Sequence, residues 1–203
     1  PYHSQSIEGF LAHCPGLKIV IASNAYDAKG LLKTAIRDPN PVIFLEHKLL
    51  YRQRVFSARQ VGDKDHFIPL GKAHITHEGS DLTVVSWGYP LVMAHEIAEK
   101  LSEQDISVEV IDLRTIVPFD KETVLESVKK TGKLLIIHEA SEFGGFGGEI
   151  AATISDEAFS YLDAPIKRIG GLHTPVGYSK PLERGILPEK DKIQAAIEEL
   201  ANF

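Results

Sequence analysis

Short apolar runs alternate with amphipathic segments through most of the chain, and this alternation constrains the fold more than any other feature. The runs that predict buried strands are residues 17–22, 42–45, 82–87, 108–113, 133–137 and 166–169. Helices are predicted at residues 7–13, around 94–101, after Asp120, over 148–159 and around 193–200. This repeated order predicts an α/β fold, with a mostly parallel sheet covered by helices on both faces.

The first strand–helix–strand unit is the clearest. Asn24 can cap a helix, with Asp27 at its third position. The apolar residues that follow recur at i, i+3, i+4 and i+7: Ala28, Leu31, Leu32 and Ala35. Because strands 17–22 and 42–45 flank this helix, we expect them to pair in parallel through a right-handed crossover.

A polar stretch without periodicity divides the chain into two regions. We expect residues 1–51 to form one region, 52–66 a linker or crossing arm, and 67–203 a second α/β region. The polar composition of this linker is equally consistent with an extended segment that packs against the next domain and with a mobile segment.

Composition excludes several classes of protein. The 203 residues are 43% hydrophobic and 25% charged, which is ordinary for a globular protein with a sizeable core. A formal net charge of -6 disfavours a nucleic-acid surface, because phosphate contacts require clustered Lys and Arg. The one cysteine, Cys14, cannot form an internal disulfide and suggests a reducing compartment. No apolar run approaches the length of a membrane span.

Two loops at strand ends contain residues that could carry chemistry. Asp112 and Arg114 follow a predicted strand, and spacing alone favours structural ion pairs there. A glycine-rich run, residues 142–149, follows His138 and Glu139. Glycines before a helix can cradle a phosphate, but the run lacks G-x-G-x-x-G spacing and has an acidic residue at each end. Tight turning and close packing explain it better.

The end of the first long helix could attract a cation. Residues 35–40 combine the last helical carbonyls with the carboxylate of Asp38 and the amide of Asn40. Carbonyls at a helix C-terminus are electronegative, and oxygen-only ligands suit a hard cation such as K⁺ or Ca²⁺. Spacing alone favours ordinary helix capping followed by a proline stop.

The chain starts Pro-Tyr-His-Ser-Gln-Ser without an initiator Met, and we expect it to be the back portion of a longer polypeptide. His3 can exchange a proton near neutral pH, although a lone histidine near a terminus is usually a surface or packing residue. The other histidines form no H-x-x-x-H or Cys/His set, so the sequence does not support a transition-metal site.

Several motifs in order resemble the β subunits of 2-oxo acid dehydrogenase E1 components, which are thiamine-diphosphate enzymes of the transketolase superfamily. They are His3-Ser4-Gln5-Ser6, Ala12-His13-Cys14-Pro15-Gly16-Leu17-Lys18-Ile19-Val20, residues 27–32, 35–38, 40–46 and 110–118. The resemblance covers essentially the whole chain. It implies the end of a pyrimidine-binding domain in residues 1–51 and a transketolase C-terminal-like domain in residues 67–203.

The resemblance also implies how the cofactor is bound. In the family, the glutamate that activates thiamine diphosphate lies upstream, and the partner α subunit holds the diphosphate and its Mg²⁺. This chain would then contain no cofactor-binding residue and be inactive alone. His3 matches the family histidine that lines the active-site channel, steadies the oxo-acid carboxylate and assists proton transfer. A structural K⁺ site matches Ala35, Ile36, Asp38 and Asn40, the first two through backbone carbonyls.

The implied partners are an E1 α subunit, a second β subunit and the E2 lipoyl acyltransferase, with Asp163 and Phe203 as candidate E2-docking residues for a basic partner.

Residues 10–16 and Tyr2 resemble the branched-chain type more than the pyruvate type. An assembly module without chemistry of its own, or another transketolase-like synthase, remains an alternative. We expect the cytoplasm of a bacterium or the mitochondrial matrix of a eukaryote.

Overall fold

The structure, a computed structural model, describes residues 4–52 and 63–203. The N-terminal part contains helix α1 (Glu8–Ala12), strand β1 (Lys18–Ala22), helix α2 (Ala25–Arg37) and strand β2 (Val42–Glu46). β1 and β2 pair in parallel, which confirms the predicted strand–helix–strand unit. The Asn24 side chain accepts a hydrogen bond from the Asp27 N–H at 2.9 Å, as a helix cap does.

The rest of the chain forms a second, larger sheet. Its strands, in spatial order, are β3 (His74–His77), β5 (Val108–Asp112), β4 (Leu82–Ser86), β7 (Leu134–Ser141) and β8 (Lys167–Gly171). Only the edge strand β3 runs antiparallel to its neighbour. The expected α/β class and mostly parallel sheet are therefore confirmed.

Helices cover both faces of this sheet. They are α3 (Gly88–Ser102) and α7 (Lys190–Ala201) on one face, and α4 (Lys121–Thr131) and α5 (Gly147–Glu157) on the other. A further helix, α6 (Lys180–Ile186), lies between β8 and α7 in the sequence. Strand residues alternate between two cores. Val84, Val110 and Leu135 pack with α3 and α7, whereas Val85, Ile111 and Ile136 pack with α4 and α5.

Strand β6 (Thr115–Val117) joins the two parts of the chain. It belongs to the C-terminal part but pairs antiparallel with β1, so the smaller sheet has the order β2-β1-β6. Ile19 and Ile21 of β1 consequently enter the same core as α4 and α5. The sequence pattern does not predict β3, β6 or α6.

The division into residues 1–51, 52–66 and 67–203 stays a prediction, and residues 53–62 lie outside the described part of the chain. Within the described ranges, no helix combines the length and apolarity needed to cross a bilayer.

Candidate functional site

A cleft of about 1200 Å³ lies between the N-terminal segment, the end of β2 and the start of α7. We call it the central cleft. Ser4, Gln5 and Ser6 line it, and the same residues line a smaller cavity of about 290 Å³. His3, the predicted catalytic residue, lies outside the described residues. It directly precedes Ser4 in the sequence, and its catalytic role stays a prediction.

A histidine–glutamate pair lines the central cleft. His47 follows β2 and Glu139 lies near the end of β7, and His47 Nε2 is 2.7 Å from Glu139 Oε2. Ser6 Oγ donates to the other oxygen of Glu139 at 3.4 Å. The His47 ring stacks on Tyr89, with ring centroids 5.6 Å apart. Sequence reasoning missed this pair, because 92 positions separate its members.

Glu8 lies buried beside this pair. Trp87 Nε1 donates to Glu8 Oε1 at 3.0 Å. Burial raises the pKa of Glu8, since desolvation disfavours the carboxylate, and the charge of Glu139 adds to the shift. The hydrogen bond from Trp87 and the charge of His47 oppose it. His47 and Glu139 therefore both act electrostatically on Glu8.

His138 continues this buried layer away from the cleft. Its ring stacks on Trp87 with centroids 5.5 Å apart. Burial lowers the pKa of His138 to about 4, because the imidazolium would be desolvated, so the ring is neutral at physiological pH. Nδ1 then donates to the Ala140 carbonyl at 3.0 Å, and in the described part of the chain buried Nε2 has no hydrogen-bond partner.

The glycine-rich run packs against His138. A Cβ atom on Gly145 would lie 2.6 Å from His138 Cε1, and one on Gly147 would lie 2.6 Å from His138 Nε2. Both distances are too short for a real contact, so the backbone can approach this ring only at glycine. The structure supports the packing explanation for the run rather than a phosphate cradle.

The predicted cation-binding residues lie together at the end of α2. Asp38 Oδ1 accepts from the Asn40 backbone N–H at 2.9 Å and from Asn40 Nδ2 at 3.0 Å. The Ala35 carbonyl accepts the Asp38 N–H at 3.2 Å, while Ile36 is exposed. Lys18 Nζ lies 2.5 Å from Asp38 Oδ2, and its hydrogen bond is the main cause that lowers the Asp38 pKa to about 2. A positive group therefore already neutralises this carboxylate.

The two candidate docking residues lie near one turn. The Asp163 N–H donates to the Gly132 carbonyl at 2.8 Å, and Lys133 Nζ donates to the Ala201 carbonyl at 3.0 Å. Asp163 is exposed, and Phe203 follows α7 and is also exposed. Gly132 therefore contacts Asp163 itself, and Lys133 contacts the end of α7, two residues before Phe203.

A separate buried cluster joins the two parts of the chain. Arg114 Nη2 donates to Asp27 Oδ1 at 2.6 Å, and the Arg114 N–H donates to Asp112 Oδ1 at 3.0 Å. Asp27 and Asp112 are almost fully buried. The ion pair expected for Arg114 is present, with Asp27 of α2 as its partner. The cluster is buried and links α2 to the segment after β5.

Over residues 4–52 and 63–203, no group of three or more His, Cys, Asp or Glu side chains could hold a metal ion.

Comparisons with known proteins agree with this arrangement. Residues 71–193 match the transketolase C-terminal domain family, and residues 1–54 match the transketolase pyrimidine binding domain family. A split gene transketolase, solved as an inactive β4 tetramer, superposes with a TM-score of 0.79 at 26% identity. The superposition covers 98% of this chain and 63% of that chain.

Curated relatives are more similar in sequence. The chain is 48% identical over 202 residues to 2-oxoisovalerate dehydrogenase subunit beta 2, mitochondrial, of Arabidopsis thaliana, covering 100% of this chain and 55% of that protein. It is 45% identical over 203 residues to 2-oxoisovalerate dehydrogenase subunit beta of Bacillus subtilis, covering 100% and 61%. It is 47% identical over 196 residues to pyruvate dehydrogenase E1 component subunit beta of Rhizobium meliloti, covering 96% and 42%. The chain thus spans about half the length of these relatives.

Proposed function

Because the chain belongs to the transketolase C-terminal domain family and is 45–48% identical to β subunits of 2-oxo acid dehydrogenases, we propose that it serves as such a β subunit. The reaction is decarboxylation of a 2-oxo acid followed by reductive acylation of lipoamide on E2. A branched-chain oxo acid is the leading substrate. Pyruvate is the alternative, because a pyruvate dehydrogenase β subunit matches at nearly the same identity.

The proposed partners are an E1 α subunit, a second β subunit and E2. The compartment would be the bacterial cytoplasm or the mitochondrial matrix, according to the organism.

Thiamine diphosphate with Mg²⁺ would supply the electron sink for decarboxylation. The described residues do not fit its diphosphate. The glycine run is packed on His138, and six carboxyl side chains line the central cleft against three basic ones, Lys48, Arg184 and Lys190. A diphosphate needs donors and positive charge. We therefore assign its binding to the α subunit and to residues upstream in the full-length β subunit.

This chain would contribute a wall of the substrate channel. Ser4 lines the central cleft directly after His3, and that adjacency is the observation that carries the proposal. His3 is proposed to hold the oxo-acid carboxylate and to move a proton through its imidazole. An imidazole suits both roles because it changes protonation near neutral pH.

Substitution of His3 tests this role in the assembled enzyme. In a full-length β subunit reconstituted with α, His3→Ala is expected to lower oxo-acid turnover about 100-fold, the loss of one general acid–base group. Turnover is measured with branched-chain oxo acids and with pyruvate, and assembly is measured by analytical ultracentrifugation.

His13→Ala is the matched control, because His13 is exposed at the end of α1 and should leave turnover unchanged. Unchanged turnover in intact His3→Ala enzyme would remove His3 from the mechanism. Absence of turnover with every 2-oxo acid in assembled wild-type enzyme would contradict the proposed function itself.

We also propose that K⁺ binds at the end of α2 through Ala35, Ile36, Asp38 and Asn40. The oxygen donors and the negative end of the helix fit a hard cation, which would share Asp38 with Lys18. In the reconstituted enzyme, replacing Na⁺ with K⁺ is expected to raise the melting temperature by a few degrees, roughly what 1 kcal/mol of linked binding gives.

Asp38→Ala should abolish this difference between K⁺ and Na⁺, whereas exposed Asp156→Ala should retain it. Equal melting temperatures of the wild type in both salts would reject the site.

The neighbourhood of residues 132–133 supports a further assignment, that Asp163 and Phe203 belong to an E2-docking surface. Both are exposed and could meet a basic partner, Asp163 through its carboxylate. An assembly module that uses this surface without chemistry of its own is the second candidate function.

A further inference from the structure

Glu139 holds three parts of the structure together at the central cleft. It lies near the carboxyl end of β7, where parallel sheets commonly carry functional groups. One carboxylate oxygen contacts the His47 imidazole, and the other accepts from Ser6. Both the central cleft and the smaller cavity beside residues 4–6 include Glu139 in their walls.

The contact between His47 and Glu139 is partly shielded from solvent, so it should constrain the two side chains more strongly than a surface ion pair would. The exposed fractions of the His47 and Glu139 side chains are 14% and 19%. Desolvated, charge-assisted hydrogen bonds are stronger and more directional than exposed ones. Tyr89 stacks on one face of the His47 ring and restrains it, and among residues 4–52 and 63–203 buried His47 Nδ1 has no hydrogen-bond partner.

Ser6 ties the N-terminal segment to this pair. The described segment begins at Ser4, and the hydrogen bond from Ser6 to Glu139 lies just before α1. At 3.4 Å this bond is long, so its contribution depends on the orientation of the carboxylate. His47 fixes that orientation by occupying the other oxygen.

From this geometry we propose that Glu139 is a positioning residue, which with His47 sets the path of residues 4–6 along the cleft and so the placement of the catalytic His3. The inference rests on the proposed function, because it requires His3 to act on the substrate. Glu139 itself would not touch the reacting atoms.

The first test is hydrogen exchange in the reconstituted α/β enzyme. Glu139→Ala is expected to increase exchange at the backbone N–H groups of residues 4–7 at least several-fold. Glu139→Gln keeps an oxygen for Ser6 and should show a smaller increase. The matched control is Glu149→Gln, an exposed residue in the first turn of α5 that should change nothing.

The second test is a double-mutant cycle on turnover. Glu139→Ala is expected to lower kcat about tenfold with a smaller effect on KM, and Glu139→Gln should recover most of that loss. If Glu139 acts through His3, Glu139→Ala should cause no further loss in the His3→Ala background.

The outcomes separate this inference from the proposed function. Unchanged exchange at residues 4–7, or full kcat in Glu139→Ala, would overturn the positioning role. Losses that multiply in the double variant would show that Glu139 acts independently of His3 and would also overturn it. Full turnover in His3→Ala would reject the catalytic role of His3, and with it the effect proposed for Glu139, even if exchange at residues 4–7 rose as expected.

Discussion

Replacing Arg114 with Ala is expected to lower the free energy of unfolding by about 3–5 kcal/mol, because the substitution leaves a buried carboxylate without its positive partner. Asp27 is 1% exposed and Asp112 is fully buried, and Arg114 is the cation that contacts Asp27 at 2.6 Å. The guanidinium also opposes the rise in the pKa of Asp112. Urea unfolding at neutral pH, followed by far-UV circular dichroism, measures the loss.

Arg184→Ala is the matched control. Arg184 is exposed on α6, and its truncation should change the free energy of unfolding by less than about 0.5 kcal/mol. If Arg114→Ala cost no more than this control, the buried ion pair would contribute little to stability. An effect on the slope of ΔG against urea concentration would instead indicate a changed denatured state.

Replacing Asp112 with Asn is expected to change how stability depends on pH. Burial, with a smaller contribution from the charge of Asp27, raises the pKa of Asp112 from 3.8 to about 7 in the folded state. Between these values the folded protein keeps the proton and the unfolded chain has released it. Raising the pH therefore costs stability, and this loss is complete once the pH passes about 7.

Asn cannot ionise, so Asp112→Asn removes this loss. From about pH 5 to about pH 8, the free energy of unfolding of the variant should rise by about 3 kcal/mol relative to wild type, since each pKa unit corresponds to about 1.4 kcal/mol. Carboxyls with lowered pKa values, such as Asp38 and Asp120, have the opposite pH dependence. Their effects cancel in the difference between the two proteins.

Urea unfolding at several pH values, with Asp156→Asn as the exposed control, measures this difference. A constant difference between Asp112→Asn and wild type across that range would show that Asp112 titrates alike in the folded and unfolded states.

Local patterns predicted most of the parallel strands and their helices. A few neighbouring residues are enough to predict the strand at residues 108–113 and the helix cap at Asn24, because periodicity and capping are local effects. β3 and β6 were missed for a different reason. Each is short and pairs with a strand 30 or more positions away in sequence, so no local pattern specifies it.

The candidate site shows the same division. Residues 138 and 139 stood out because they end a strand, but nothing in the sequence showed that Glu139 meets His47 and Ser6. Arg114 and Asp27 were each noticed, yet their pairing across 87 positions depends on how the two parts of the chain pack. Side-chain partners between distant elements follow from tertiary packing, which this sequence alone does not specify.

The pairing of β6 with β1 has a consequence for recombination between relatives. A chimera cut at the linker would receive β6 from one parent and β1 from the other, although the two strands share a hydrogen-bonded register. Arg114 and Asp27 would likewise come from different parents. We expect such crossovers to yield stable protein only when both parents agree at these contacts, so the apparent module boundary in the sequence is a poor place to exchange halves.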